Sequence, residues 1–103
     1  MTSRRVLVID DSNTIRRSAE IFLKQGGHEV MLAEDGFDAL AKVNDTQPDL
    51  IFCDILMPRL DGYQTCAIIK RNEKFASTPV VMLSSKDGLF DKARGRMVGS
   101  QDY

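Results

Sequence analysis

The sequence predicts an α/β fold: a doubly wound parallel sheet with helices on both faces. Three observations carry that prediction. Short apolar runs alternate with longer amphipathic ones along the whole chain. The runs VLVI and LIFC are continuous rather than alternating, as in strands buried on both faces. A length of 103 residues, 43% of them hydrophobic and 28% charged, suits one soluble globular domain.

Val6 to Ile9 reads as the first strand. Ser12 can cap a following helix by accepting main-chain N–H groups. Ile15, Ala19, Phe22 and Leu23 then recur at helical spacing, with Arg16, Arg17, Glu20 and Lys24 opposite them. Gly26 and Gly27 end that helix, because glycine adopts the left-handed conformation a helix C-terminus requires. Val30 to Ala33 is the second strand. Asp35 caps a second helix marked by Phe37, Leu40 and Ala41 and closed by Gln47-Pro48. Leu50 to Cys53 is the third strand. Asp61-Gly62, a turn signal, leads into a helix near Tyr63 to Arg71 with Ile68 and Ile69 on its apolar side. Pro79 opens the fourth strand, Val80 to Leu83. A weaker fourth helix carries Leu89, Phe90, Ala93 and Met97, interrupted by glycines that disfavour it. Each crossover between parallel strands should be right-handed.

Several function classes drop out. A net charge of −1 gives no strong field for nucleic acid or anionic lipid. No apolar run reaches the length of a membrane span, and the N-terminus breaks into acid too early for a signal peptide. No G-x-G-x-x-G follows the first strand, which excludes a dinucleotide-binding turn. Cys53 and Cys66 lack metal or redox spacing and read as free thiols of a reducing cytosol. His28 has no second histidine with which to build a zinc site.

The ends of the strands are informative. Asp10 and Asp11 end the first strand, Asp54 ends the third, and Ser84 and Ser85 end the fourth. Open parallel sheets bind ligands beyond the carboxyl ends of their strands, where strand order reverses. If the first and third strands flank that reversal, all these side chains meet in one crevice. Clustered carboxylates repel, so either their pKa values rise or a cation joins them. Oxygen donors without histidine or cysteine suit a hard ion, and Mg²⁺ fits best. A carboxylate can also attack phosphorus and give an acyl phosphate, with a cation and a hydroxyl stabilising the equatorial oxygens.

Taken together, VLVIDDS, DLIFCDILMPRLDG and PVVMLSS resemble the CheY-like receiver domain of bacterial two-component response regulators, over essentially all of residues 1–103. The resemblance implies a flavodoxin-like sheet of order 2-1-3-4, with a fifth strand to follow. It implies that Asp54 accepts a phosphoryl group from a histidine kinase or phosphotransfer protein. Asp10, Asp11, Asp54 and the backbone carbonyl of Leu56 would bind Mg²⁺. Ser84 would bond a phosphoryl oxygen, and Tyr103 would be the aromatic that turns inward on switching. Such a domain is a cytoplasmic signalling module rather than an enzyme, catalysing only its own phosphoryl transfer and a slow autodephosphorylation. Its other partner is a downstream output protein. The segment KDGLFDKARGRMVG is most similar to single-domain regulators of type IV pilus twitching motility.

One departure shapes the expectations. The family's fifth strand begins about where this sequence stops, at Tyr103, and the lysine that ends that strand has no counterpart. A domain lacking the fifth strand and helix should couple phosphorylation weakly to output. It should also expose Val80–Leu83 as a sheet edge, which leads to a homodimer through that edge, a swapped arrangement or poor stability. A receiver that only binds partners, without phosphorylation, is the alternative. A phosphatase or phosphotransferase of the haloacid-dehalogenase type is disfavoured, because Asp54-Ile55-Leu56 lacks the second acid such sites use. The apolar Leu56 side chain cannot orient a hydrolytic water near Asp54, so the phosphoryl group should be lost slowly.

Overall fold

A computed structural model describes residues 3–83 of the chain. Strands and helices alternate as β1 (Arg5–Ile9), α1 (Asn13–Gln25), β2 (Glu29–Ala33), α2 (Gly36–Thr46), β3 (Leu50–Asp54), α3 (Gly62–Arg71) and β4 (Val80–Leu83). All pairings are parallel and the strand order is β2-β1-β3-β4, as the family resemblance implied. The order reverses between β1 and β3. The predicted fourth helix, Ser84, Ser85 and Tyr103 lie outside the described residues, as does whatever lies beside β4 on its far edge.

Three caps fix the helix starts. Ser12 Oγ accepts the Ile15 N–H at 3.3 Å, and Asp35 Oδ1 accepts the Asp38 N–H at 2.7 Å. Asp61 and Gln64 form a reciprocal capping box at the start of α3. Helix α1 ends in a Schellman arrangement. The His28 N–H donates to the Leu23 carbonyl at 3.2 Å and the Gly27 N–H to the Lys24 carbonyl at 3.0 Å. Gly27 takes the left-handed turn at φ +84°. His28 is structural, its Nδ1 accepting the Arg4 N–H at 3.1 Å.

The sheet separates two cores, because successive strand residues face opposite sides. Val6, Val8, Leu50, Phe52, Val81 and Leu83 pack with Ala19 and Leu23 of α1. Leu7, Ile9, Ile51, Cys53, Val80 and Met82 pack with α2 and α3 on the other face. Central β1 and β3 are buried throughout their apolar runs, while β2, at the end of the sheet, is only partly buried.

The helix faces differ in detail from the sequence reading. In α2 the buried stripe is Gly36, Ala39 and Val43, while Phe37 and Ala41 are exposed. In α3 it is Gly62, Thr65, Cys66 and Ile69, with Ile68 near the surface. Phe22 of α1 is likewise more exposed than the stripe predicted. A short 3₁₀ turn at Glu73–Phe75, which the sequence reading did not anticipate, buries Phe75 beneath the sheet.

Candidate functional site

The register of β1 and β3 sets the site. Ile9 pairs with Cys53, so one further step along each strand brings Asp10 level with Asp54. Asp11 follows at the start of the turn into α1. Carboxylate oxygens of Asp10, Asp11 and Asp54 all lie within 4.8 Å of one another. Asp10 and Asp54 are each only 1% exposed, whereas Asp11 faces solvent. Two buried strands thus end in acids because the sheet holds those acids together at its reversal point.

Each buried acid has one satisfied oxygen. Asp10 Oδ1 accepts the Ser12 N–H at 2.8 Å, and Asp54 Oδ1 accepts the Leu56 N–H at 3.3 Å. The second oxygen of each, Asp10 Oδ2 and Asp54 Oδ2, is buried without a hydrogen-bond partner among the described residues. Bare buried carboxylate oxygens are unfavourable unless protonated or bound to a cation. Burial pushes the Asp54 carboxyl up to about 6, with the neighbouring Asp10 adding to the rise and the Leu56 N–H opposing it. Burial likewise raises Asp10, opposed by the Ser12 N–H. Two bare oxygens beside a third, solvent-facing acid form a hard-oxygen donor set suited to a small divalent cation.

The site has supports that sequence reasoning passed over. Arg16, one turn into α1, donates to the Asp10 main-chain carbonyl and to the Asn13 side chain. Its neighbour Arg17 instead pairs with Glu20. Only the helical phase, with Arg16 one turn after Ser12, could have separated the two in sequence. Gly62 is a second support. Its N–H donates to the Ile55 carbonyl at 2.9 Å, closing the neck of the 55–61 loop. A Cβ at that position would lie 2.2 Å from the Asp54 carbonyl oxygen. The Asp61-Gly62 turn signal therefore marks the place where α3 presses on the backbone of Asp54.

Of the predicted site residues, Asp10, Asp11 and Asp54 converge, and the main-chain contact that Leu56 makes there is through its N–H, not the carbonyl that the resemblance implied as a ligand. Ser84 directly follows Leu83, the residue paired with Asp54, but lies with Tyr103 outside the described residues.

Comparisons with known proteins agree with this geometry. The family profile for the response regulator receiver domain matches residues 6–103. Protein PilG of Pseudomonas aeruginosa is 70% identical over 99 residues, which cover 96% of this chain and 73% of that protein. The structure of chemotaxis protein CheY4 of Vibrio cholerae superposes with a TM-score of 0.79 at 33% identity, covering 95% of this chain and 82% of that one. The N-terminal domain of a response regulator receiver protein from Methanoculleus marisnigri gives a TM-score of 0.77 at 35% identity, covering 81% and 68%. No helix among the described residues is long and apolar enough to cross a membrane.

Proposed function

Because the chain belongs to the response regulator receiver domain family, we propose that it acts as a single receiver unit whose phosphoacceptor is Asp54. The observation that carries this reading is the buried pair Asp10 and Asp54, each with one bare oxygen, beside Asp11. In the proposed reaction an Asp54 carboxylate oxygen attacks the phosphorus of a kinase or phosphotransfer phosphohistidine. The P–O bond to Asp54 forms as the P–N bond breaks, and the imidazole leaves with the electron pair. The carboxylate is the reactive form, so the elevated Asp54 carboxyl must be deprotonated first.

Asp10, Asp11, Asp54 and the Leu56 carbonyl would hold Mg²⁺, which when bound supplies positive charge beside the transferring phosphoryl oxygens. The chain's own groups do the rest. The Ser12 and Leu56 N–H groups orient one oxygen of each buried acid. The strands mount those acids rigidly, and Ser84 would bond the transferred group. Tyr103 and Ser84 would make the switch that a downstream output protein reads. The high identity to PilG, together with KDGLFDKARGRMVG, supports an output in type IV pilus twitching motility.

Intact mass after incubation with Mg²⁺ and acetyl phosphate tests the reading. One added phosphoryl group, absent in Asp54→Ala and without Mg²⁺, is expected. A folded, Mg²⁺-binding chain that gains no mass would leave a module that signals by partner binding alone.

A further inference from the structure

The loop between β3 and α3 holds its middle residue in an unusual conformation. Arg59 has φ +68°, and the Leu60 N–H bonds back across it to the Pro58 carbonyl at 2.8 Å. That is a three-residue γ-turn of the strained hand. Strain of this kind persists only where surrounding contacts over-determine it, and it collects at functional sites. The contacts here come from α2. The Arg59 guanidinium donates to Asp35 Oδ2 at 2.9 Å and lies 5.1 Å above the Phe37 ring. The other Asp35 oxygen caps α2. Phe37 is 53% exposed, so its place outside the core has an explanation: it is the platform for Arg59. Leu60 packs so closely on Gly36 that a Cβ there would come within 2.8 Å of Leu60 Cδ2.

An exposed ion pair and a cation–π contact each contribute little alone. Here both converge on one side chain at the apex of a loop whose neck is already closed by Gly62 and Ile55. The same loop carries Leu56, whose N–H meets the Asp54 carboxylate. We propose that Asp35, Phe37 and Arg59 form a latch that holds the 55–61 loop against α2, making Arg59 a positioning residue for cation binding at the acid cluster. The latch rests on the Mg²⁺-site reading above. It sets the main chain of Leu56 before any cation arrives. The strained turn is maintained for the geometry it gives the loop rather than for fold stability.

Glycine separates these two roles, because Arg59→Gly relaxes the left-handed backbone while removing the latch. The full chain is compared with Arg59→Gly, Asp35→Ser, their double variant, Asp54→Asn and, as a control, Arg17→Gln. Mg²⁺ affinity is read by calorimetry, the thermal midpoint in EDTA, and amide exchange at Leu56 and Leu60. Arg59→Gly should bind Mg²⁺ about 5-fold more weakly, exchange faster at both amides, and melt no lower than wild type. Asp35→Ser should weaken binding to a similar degree. The double variant should be no weaker than the worse single, because both remove one interaction. Wild-type affinity in Arg59→Gly, or independent losses that multiply in the double, would overturn the latch. If wild type binds Mg²⁺, Asp54→Asn does not, and Arg59→Gly matches wild type, the latch alone has failed. If wild type and Asp54→Asn both ignore Mg²⁺, the reading of the acid cluster has failed and the latch with it.

Discussion

Asp54 in the described structure is a carboxyl whose burial works against its own charge, and that has a measurable thermodynamic sign. Its ordinary value is 3.8 and its folded value about 6. Between those values the folded chain binds more protons than the unfolded one, so stability falls as pH rises through that window. The effect is on the order of 3 kcal/mol at neutral pH if no cation is bound, and Asp10 is shifted in the same direction. Asp54→Asn should therefore unfold at a higher urea concentration than wild type at pH 7 in EDTA, with the gap closing near pH 4. Adding Mg²⁺ should raise wild-type stability and shrink the gap, since a ligand bound only by the folded state stabilises it. A gap independent of pH would contradict the assignment. Leu56 gives a second residue-scale expectation. Its side chain is 48% exposed and apolar. Leu56→Asn, which can orient water, should hasten loss of the phosphoryl group from Asp54, measured as decay of the phosphorylated mass.

Among the helices, α3 is the one whose start presses on the backbone of Asp54. Alanine in a helix is favoured over glycine by about 1 kcal/mol, so a simple propensity argument says Gly62→Ala stabilises. The geometry says otherwise. The added Cβ would meet the Asp54 carbonyl oxygen at 2.2 Å and Ile55 Cα at 2.8 Å. Those are backbone atoms of the strand and loop that carry the acid, and they cannot swing away. A loss of roughly 2–3 kcal/mol is expected, together with weaker Mg²⁺ binding. Gly27→Ala is the contrast. It strains a left-handed turn in open space, so it should lower stability by about 1 kcal/mol and leave Mg²⁺ affinity alone. Urea titrations with and without Mg²⁺ on both variants decide the matter.

The α2 stripe shows where sequence reading stops. Strand runs, helix caps and the meeting of three acids were legible because each rests on local pattern plus one topological rule. Phe37 reads as core because it is large and apolar at a helix start. The buried position is Gly36, where α2 approaches Leu60 and Thr65 too closely for a side chain. Which of the two faces inward depends on contacts distant in sequence, with Leu60 and Thr65 at Gly36 and with Arg59 at Phe37. Gln47 shows the same limit at the other end of α2: it ends the helix at φ +46°, a conformation that composition would assign to glycine.

At the scale of the whole molecule, stability and site share one sheet. Phe52 is fully buried in the core beneath α1, and β3 continues from it through Cys53 to Asp54. Phe52→Ala should cost about 3–5 kcal/mol, a large share of the roughly 5–15 kcal/mol that holds a domain of this kind. The urea midpoint followed by circular dichroism should then fall well below that of wild type, and saturating Mg²⁺ should recover part of the loss. Recovery by Mg²⁺ would link the core to the acids directly, because the ligand acts at the far end of the same strand.

Cys53 has a practical use beyond packing. Its Sγ lies 3.6 Å from the Asp54 carbonyl and 4.0 Å from that of Gly62, wedged where β3 and α3 meet. Burial pushes its thiol up, and Cys66 is buried nearby in the same cluster. Thiolates react with alkylating reagents and protonated thiols do not, so the folded chain should resist labelling at Cys53, while burial alone shields Cys66. Alkylation would then follow transient separation of β3 from α3, giving the mounting of Asp54 a built-in clock. The clock should slow when Mg²⁺ is added and quicken in Gly62→Ala.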